Sequence, residues 1–267
     1  HFSSDLSPLK ESLLEYLHVL LKFMNCRMEK ISFNSVALIQ QGMSFIVKAQ
    51  GDKKEDKETP KVELVSPLKS KPADAEEGAE EKEVTSYYGL TEDSWLSLLG
   101  KLATMATDSR PKIANTSLQT LYTILKENGS VFTHDFWQMI ISGVIKLLFD
   151  ELQFSFQSKK YSSKDQSYEF LKQNCKQAYS KMIDIYKLHH SKLKDFMPEF
   201  LSIIVNPMQN PHESLAKISI EAFKSFVANV SPYFDENAWN RVIESLEKVI
   251  QATTPSLVPL IPNKICF

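Results

Sequence analysis

The side chains able to carry chemistry are few and scattered. Six histidines (His1, His18, His134, His189, His190 and His212) are the first candidates for a metal site or a general base. Only His189 and His190 are adjacent. Consecutive helical side chains diverge by about 100°, which makes a poor chelate, so this pair reads as a solvated helix end. Cys26, Cys175 and Cys266 form no Cys-x-x-Cys pair, and no histidine stands at zinc spacing from them. An odd count in a long chain argues against a disulfide framework and for a reducing compartment, with the thiols as small apolar residues. There is no His-Glu-x-x-His, and only 7 glycines, so a Gly-rich phosphate loop is unexpected. Carboxylates fall on polar helix faces, where solvation is the default. The expectation is no catalytic, metal or cofactor site, and no enzymatic activity in this chain itself.

One stretch is basic. Between residues 159 and 194 nine lysines face three acids, Asp165, Glu169 and Asp184. Within it Lys159, Lys160, Lys164, Lys172 and Lys176 form the candidate surface for an anionic membrane or a partner. A cation close to an anionic leaflet is worth about 1 kcal/mol. The competing reading is a solvated helix face. A formal net charge of -2 argues against a nucleic-acid binder. Tyr161 and Tyr168 do not make a stacking platform for bases.

These residues must be positioned by helices, because apolar residues recur at three- and four-residue steps along most of the chain. Leu6, Leu9, Leu13, Leu17, Leu20, Leu21 and Met24 mark one helix, with Ser7 as N-cap and Pro8 in its first turn. Ile31, Val36, Ile39, Met43 and Ile46 mark a second, over about 31–48. From Gly51 to Glu83 the pattern stops. Eleven acids, seven lysines and three prolines occur there with no aromatic residue, so little apolar surface is available to offset ordering entropy. This reads as a charged disordered insertion.

Helical period resumes at Glu92, with Thr91 and Ser94 able to cap it and Trp95, Leu98, Leu99, Leu102 and Met105 on one face. Asp108-Ser109-Arg110-Pro111 ends that helix and begins the next, whose inward face is Ile113, Ser117, Leu118, Leu121, Ile124 and Leu125. Asn128-Gly129 predicts a stop in which glycine takes a left-handed conformation. Thr133 or Asp135 caps a helix over about 136–152, and 157–164 reads as a loop. Further helices are expected over about 166–190, 191–205, 213–229 and 236–252. No strand is expected. The expected units are a helical hairpin (1–50), the insertion (51–90), a repeat unit (91–157), further units (158–252) and a Pro-rich extended tail (253–267). No apolar run is long enough to span a bilayer. No signal peptide opens the chain, and its first residue is His1, so it reads as an internal piece of a larger protein.

The stretches 108–150 and 210–252 align without a gap at an offset of 102 residues. Ile113 falls on Leu215, Leu118 on Ile220, Leu121 on Phe223, Phe132 on Phe234, Trp137 on Trp239, Ile140 on Val242 and Leu148 on Ile250. The reading is a repeated helix–turn–helix in which Phe132 or Phe234 plugs the corner and Trp137 or Trp239 packs back across the first helix. These four aromatics are the expected structural locks of the repeat, each tryptophan being a core residue. Each pair leaves an apolar face open until a neighbour stacks on it. The fold class expected is therefore all-α, an α-solenoid of HEAT/armadillo-like antiparallel helix pairs.

The residues that carry this pattern also carry a resemblance. Asp108-Ser-Arg-Pro111, Ser117-Leu-Gln-Thr-Leu-Tyr122, Gly129, Phe132, Trp137 and Leu147-Leu-Phe-Asp150 form a first block. Glu213-Ser-Leu-Ala216, Phe234, Trp239 and Ala252-Thr-Thr-Pro255 form a second. Over about 91–259 the chain resembles the helical region downstream of the catalytic domain in large BIG-type Arf guanine-nucleotide exchange factors, and their Mon-two-like relatives. The resemblance implies a non-catalytic regulatory module, with exchange performed by a separate domain that has no match here. It implies a cytoplasmic protein, peripheral on Golgi and trans-Golgi membranes in vesicle-mediated transport. The implied partners are small GTPases of the Arf family or relatives, other domains of the same chain and an anionic membrane surface, with no nucleic acid and no cofactor. The alternative is a generic HEAT or armadillo adaptor or transport scaffold that binds a peptide or protein in its concave face.

Overall fold

The computed structural model describes residues 7–51, 86–87, 90–158 and 166–254. Residues 1–6, the charged insertion apart from Gly51, 86–87 and 90, residues 159–165 and the segment from 255 onward lie outside them.

Among the described residues the chain is helical apart from one small hairpin. Helices α1 (Ser7–Met24) and α2 (Glu29–Gly51) come first. Strands β1 (Ser86–Tyr87) and β2 (Leu90–Thr91) pair antiparallel, Ser86 with Thr91 and Tyr87 with Leu90. The expectation of no strand is corrected here; two residues per strand are too short to give a period-two signal. Then come α3 (Glu92–Met105), α4 (Pro111–Asn128), α5 (His134–Ile140), a π turn (Ile141–Ile145) and α6 (Lys146–Gln157). They are followed by α7 (Gln166–Leu188), the short α8 (His190–Leu193) and α9 (Met197–Val205). Last are α10 (Glu213–Val230) and α11 (Glu236–Thr253).

The helix over 191–205 expected from periodicity is broken in two by a 3-10 turn at Lys194–Phe196. Pro198 explains the break. It stands in the first turn of α9, where its missing N–H is harmless, and would clash inside a continuous helix.

The helices pack in two rows. One row runs α2, α4, α7, α10, each on the next. The other contains α1, α3, α5–α6, α9 and α11; α3 packs on α1, α4 and α6, and α9 on α10 and α11. The six residues expected on the inner face of α4 are all buried. The turns after α1 and α3 are tied together by Arg110. Its guanidinium forms a two-point pair with Asp108 (2.9 and 2.8 Å) and donates to the Cys26 carbonyl at 3.0 Å.

The 102-residue offset holds for both ends of α4 and α10 and for the starts of α5 and α11. Pro111–Asn128 maps onto Glu213–Val230, and the helix start at His134 onto Glu236. The equivalence also reaches back to α3 and α9, which the sequence reading did not include. Trp95, Leu98, Leu99, Leu102 and Ala103 fall on Met197, Phe200, Leu201, Ile204 and Val205, and all ten are buried.

Candidate interaction surfaces

The first corner is built from the turn between α4 and α5. Thr133 caps α5 by accepting from the Phe136 N–H at 3.2 Å, and its own N–H donates to the Tyr87 hydroxyl at 3.3 Å. Phe132 is fully buried at the centre of an aromatic cluster. The rings of Tyr87, Trp95, Phe136 and Trp137 surround it edge-on, with centroids 4.9–5.7 Å away. The offset, edge-to-face geometry suits the ring quadrupoles. Trp137 is also fully buried, and its indole N–H donates to the Gly129 carbonyl at 3.1 Å. His189, at the end of α7, lies against the indole at 5.6 Å. Lys192 donates to the Phe132 carbonyl at 2.7 Å.

Gly129 is required here for a different reason from the one expected. Its backbone is right-handed, φ -59° and ψ -22°, so no left-handed stop exists. A Cβ at this position would stand 2.5 Å from Trp137 Cζ2 and 2.6 Å from His189 Nε2. Absence of a side chain lets the indole and imidazole close over the end of α4.

The second corner repeats the frame. Asp235 caps α11 by accepting from the Ala238 N–H at 2.7 Å. Phe234 meets Trp239 at 5.1 Å with an interplanar angle of 87°, and contacts Phe226 at 6.1 Å. The burial differs: Phe234 is half-buried and Trp239 is 41% exposed. The expectation that Trp239 is a core residue is therefore corrected. Ser231 stands where Gly129 stands, and no helix among the described residues closes over the indole as α7 does over Trp137.

Of the five lysines of the candidate basic surface, Lys159, Lys160 and Lys164 lie outside the described residues. Lys172 pairs with Glu169 at 2.5 Å and sits over the Tyr168 ring. Lys176 pairs with Glu221 of α10 at 3.1 Å. Half-solvated pairs of this kind contribute little to stability, yet they offset the positive charge a membrane would read. A second lysine group was not legible, because two helices supply it. Lys126 of α4 with Lys181 and Lys187 of α7 line a groove of about 830 Å³, together with Glu127 and Asp184. Burial lowers the Lys181 pKa; Asp184 opposes this and Lys126 adds to it.

Among the described residues no group of three His, Cys, Asp or Glu side chains could hold a metal ion. Burial pushes the Cys175 thiol up to about 12, which suppresses the reactive thiolate. Burial raises the Tyr122 and Tyr179 hydroxyls well above their ordinary value and lowers both His189 and His190. The two tyrosines, Cys175 and His189 are core groups, so the expected solvated helix end is corrected for His189, whereas His190 is half-buried. No described helix is long and apolar enough to cross a membrane.

Fold and surfaces define an all-α protein of packed helix pairs, whose described features are structural corners and grooves between helices. Within that class its sequence is related to a region of the large guanine nucleotide-exchange factors for ADP-ribosylation factors. It is 25% identical over 173 residues, 60% of the chain, to the Brefeldin A-inhibited guanine nucleotide-exchange protein 2 of Arabidopsis thaliana. It is 23% identical over 252 residues, 90% of the chain, to exchange protein 3 of the same plant. It is 20% identical over 171 residues to the ADP-ribosylation factor guanine nucleotide-exchange factor sec71 of Schizosaccharomyces pombe. The chain spans only 9–14% of the length of these relatives. No family model matches it, and no solved structure matches it.

Proposed function

We propose that the chain is a non-catalytic regulatory module, an α-solenoid of HEAT-like helix pairs, within a large Arf guanine-nucleotide exchange factor. Its units are 1–50, 91–157 and 158–252, interrupted by the insertion at 51–90 and followed by the tail at 253–267. The module acts on Golgi and trans-Golgi membranes in vesicle-mediated transport. It contacts small GTPases of the Arf family, other domains of its own chain and an anionic membrane surface. The observation that carries this reading is the sequence relationship to exchange factors over 60–90% of this chain but a tenth of theirs. The two-row packing, with its 102-residue repeat, supports the solenoid. The test is a pull-down of the purified chain with an Arf protein loaded with a non-hydrolysable GTP analogue or with GDP. It is paired with flotation on vesicles containing anionic lipid and a fluorescent-nucleotide exchange assay. Expected are capture of the GTP form or of vesicles, and no acceleration of exchange. A folded chain that captures neither, or one that speeds exchange, overturns the reading.

A further inference from the structure

The two copies of the repeat, α3–α4–α5–α6 and α9–α10–α11, differ in one systematic way. Leu118, Trp137, Ile141 and Leu148 of the first copy are 0–2% exposed. Their equivalents 102 residues on, Ile220, Trp239, Ile243 and Ile250, are 43%, 41%, 50% and 60% exposed. The residue types remain apolar; the cover has gone.

In the first copy α7 closes over the tryptophan, and Ile141 faces a groove shared with α9. Helix α7 packs on α4 and on α6, and its terminal His189 closes on Trp137. Tyr179 of α7 lies 4.5 Å from Phe149 of α6. No helix among the described residues stands in that relation to α10 and α11.

On α11 the open residues are not scattered. At about 100° per residue Trp239, Ile243 and Ile250 fall within about 40° of one another. The neighbouring arc of Ala238, Val242, Leu246 and Val249 spans about 80° and holds the residues turned into the protein, with Val242 buried and Ala238 and Val249 packed on the core. Helix α11 thus carries an apolar arc too wide for its one described partner row, α9 and the turn after it. Exposed Glu236 and Glu247 border the open stripe, and exposed Lys224 stands near Ile220 on α10.

We infer that the open face of α10 and α11 seats a further amphipathic helix, packed as α7 packs on α4 and α6, and supplied by the longer polypeptide of which this chain is a region. Its apolar stripe covers Ile220, Trp239, Ile243 and Ile250. Its edge along α11 is basic, opposite Glu236 and Glu247, and its edge along α10 acidic, opposite Lys224. The occupant is intramolecular because the internal precedent is a helix of the same chain, continuous with the interface already formed by α7. This inference rests on the exchange-factor reading for the existence of the longer polypeptide.

The test is thiol labelling. Ile243→Cys and Ile220→Cys are made separately in a background of Cys26→Ser, Cys175→Ala and Cys266→Ser. Maleimide labelling rates are compared between the 267-residue chain and the intact longer protein. Expected is fast labelling of both sites in the 267-residue chain and at least tenfold slower labelling of both in the intact protein. Equal rates in the two contexts overturn the inference. Slow labelling in the 267-residue chain also overturns it: with doubled mass the occupant is a second copy, and as a monomer it is the chain itself. Should a cysteine variant fail to fold, hydroxyl-radical footprinting of Trp239 in the unmodified proteins gives the same comparison. The Arf and vesicle assays read the functional proposal separately. Protection without Arf or vesicle binding sinks that proposal alone, and binding without protection sinks the docking alone.

Discussion

Thr133 and Asp235 begin equivalent helices with equivalent caps, and Phe132 and Phe234 meet the following tryptophan in nearly the same geometry, 5.7 Å at 70° and 5.1 Å at 87°. Around these frames the surroundings diverge. The first is enclosed by Tyr87, Trp95, Phe136 and His189; the second retains Phe226 beneath it and leaves Trp239 41% exposed. The difference separates two things that an internal repeat encodes. Helix starts, caps and the Phe–Trp contact are local and are inherited with the pattern. Burial depends on what the neighbouring unit places on top.

The largest effect that tests this contrast is truncation of the tryptophans. Trp137→Ala removes a fully buried side chain and its bond to Gly129, for an expected loss of about 3–5 kcal/mol. Trp239→Ala in the same chain should lose about 1–2 kcal/mol, since much of its surface already meets water. Urea unfolding of both variants measures the gap. Equal losses would mean that the second corner is covered in solution.

Next in size is the residue that lets the first corner close. Gly129→Ala forces a Cβ against Trp137 and His189, an overpacking expected to cost about 1–3 kcal/mol. Ser231→Ala at the equivalent position should fall within about 0.5 kcal/mol of wild type. A tolerated Gly129→Ala, read by thermal melting, would show that the indole and imidazole can retreat, and that glycine is not what sets the two corners apart.

Much of the frame was legible because it is local. Alternating three- and four-residue steps located the helices, and Thr91, Thr133 and Pro111 marked starts that the structure keeps. What was not legible depends on contacts between distant elements. Gly129 announces a helix stop, and nothing in the local pattern says that Trp137 and His189 need its missing side chain. Trp239 matches Trp137 in type, spacing and partner, yet its exposure depends on a helix that no local pattern near it encodes. Lys126, Lys181 and Lys187 look unrelated until α4 and α7 pack side by side. The repeat equivalence of α3 and α9 rests on burial more than on residue type, Trp95 standing opposite Met197 and Leu98 opposite Phe200, so a match of residue types does not find it.

The caps should be nearly matched, which makes them the control. Thr133→Ala and Asp235→Ala each lose one side-chain acceptor at a helix start, for an expected cost of about 1 kcal/mol. Thr133 also lies 3.0 Å from the Tyr87 hydroxyl. Any excess loss at Thr133 that disappears in a Tyr87→Phe background measures that extra tie. A twofold larger loss at Asp235 would contradict the view that the frames are equivalent.

The smallest expected difference is in pH dependence, and it follows from what covers each corner. His189 is buried against Trp137, and burial lowers its pKa from 6.5; the carbonyls of Leu125 and Lys126 oppose the shift, and Lys192 adds to it. The folded state therefore favours the neutral ring, and the unfolded chain takes up the proton first as pH falls. Stability from this group is complete above about pH 6.5 and is lost as pH drops through the lower folded value. His190, stacked on Tyr233 beside the second corner, is shifted the same way by burial, but it is more exposed. Urea midpoints measured from about pH 7.5 to about pH 5.5, where carboxylates stay ionised, should fall in the wild type. His189→Gln should flatten most of that slope, and His190→Gln less of it. A wild-type midpoint that rises on acidification would mean that His189 is stabilised as the cation by the end of α4, and the first corner would then be held by charge as well as by packing.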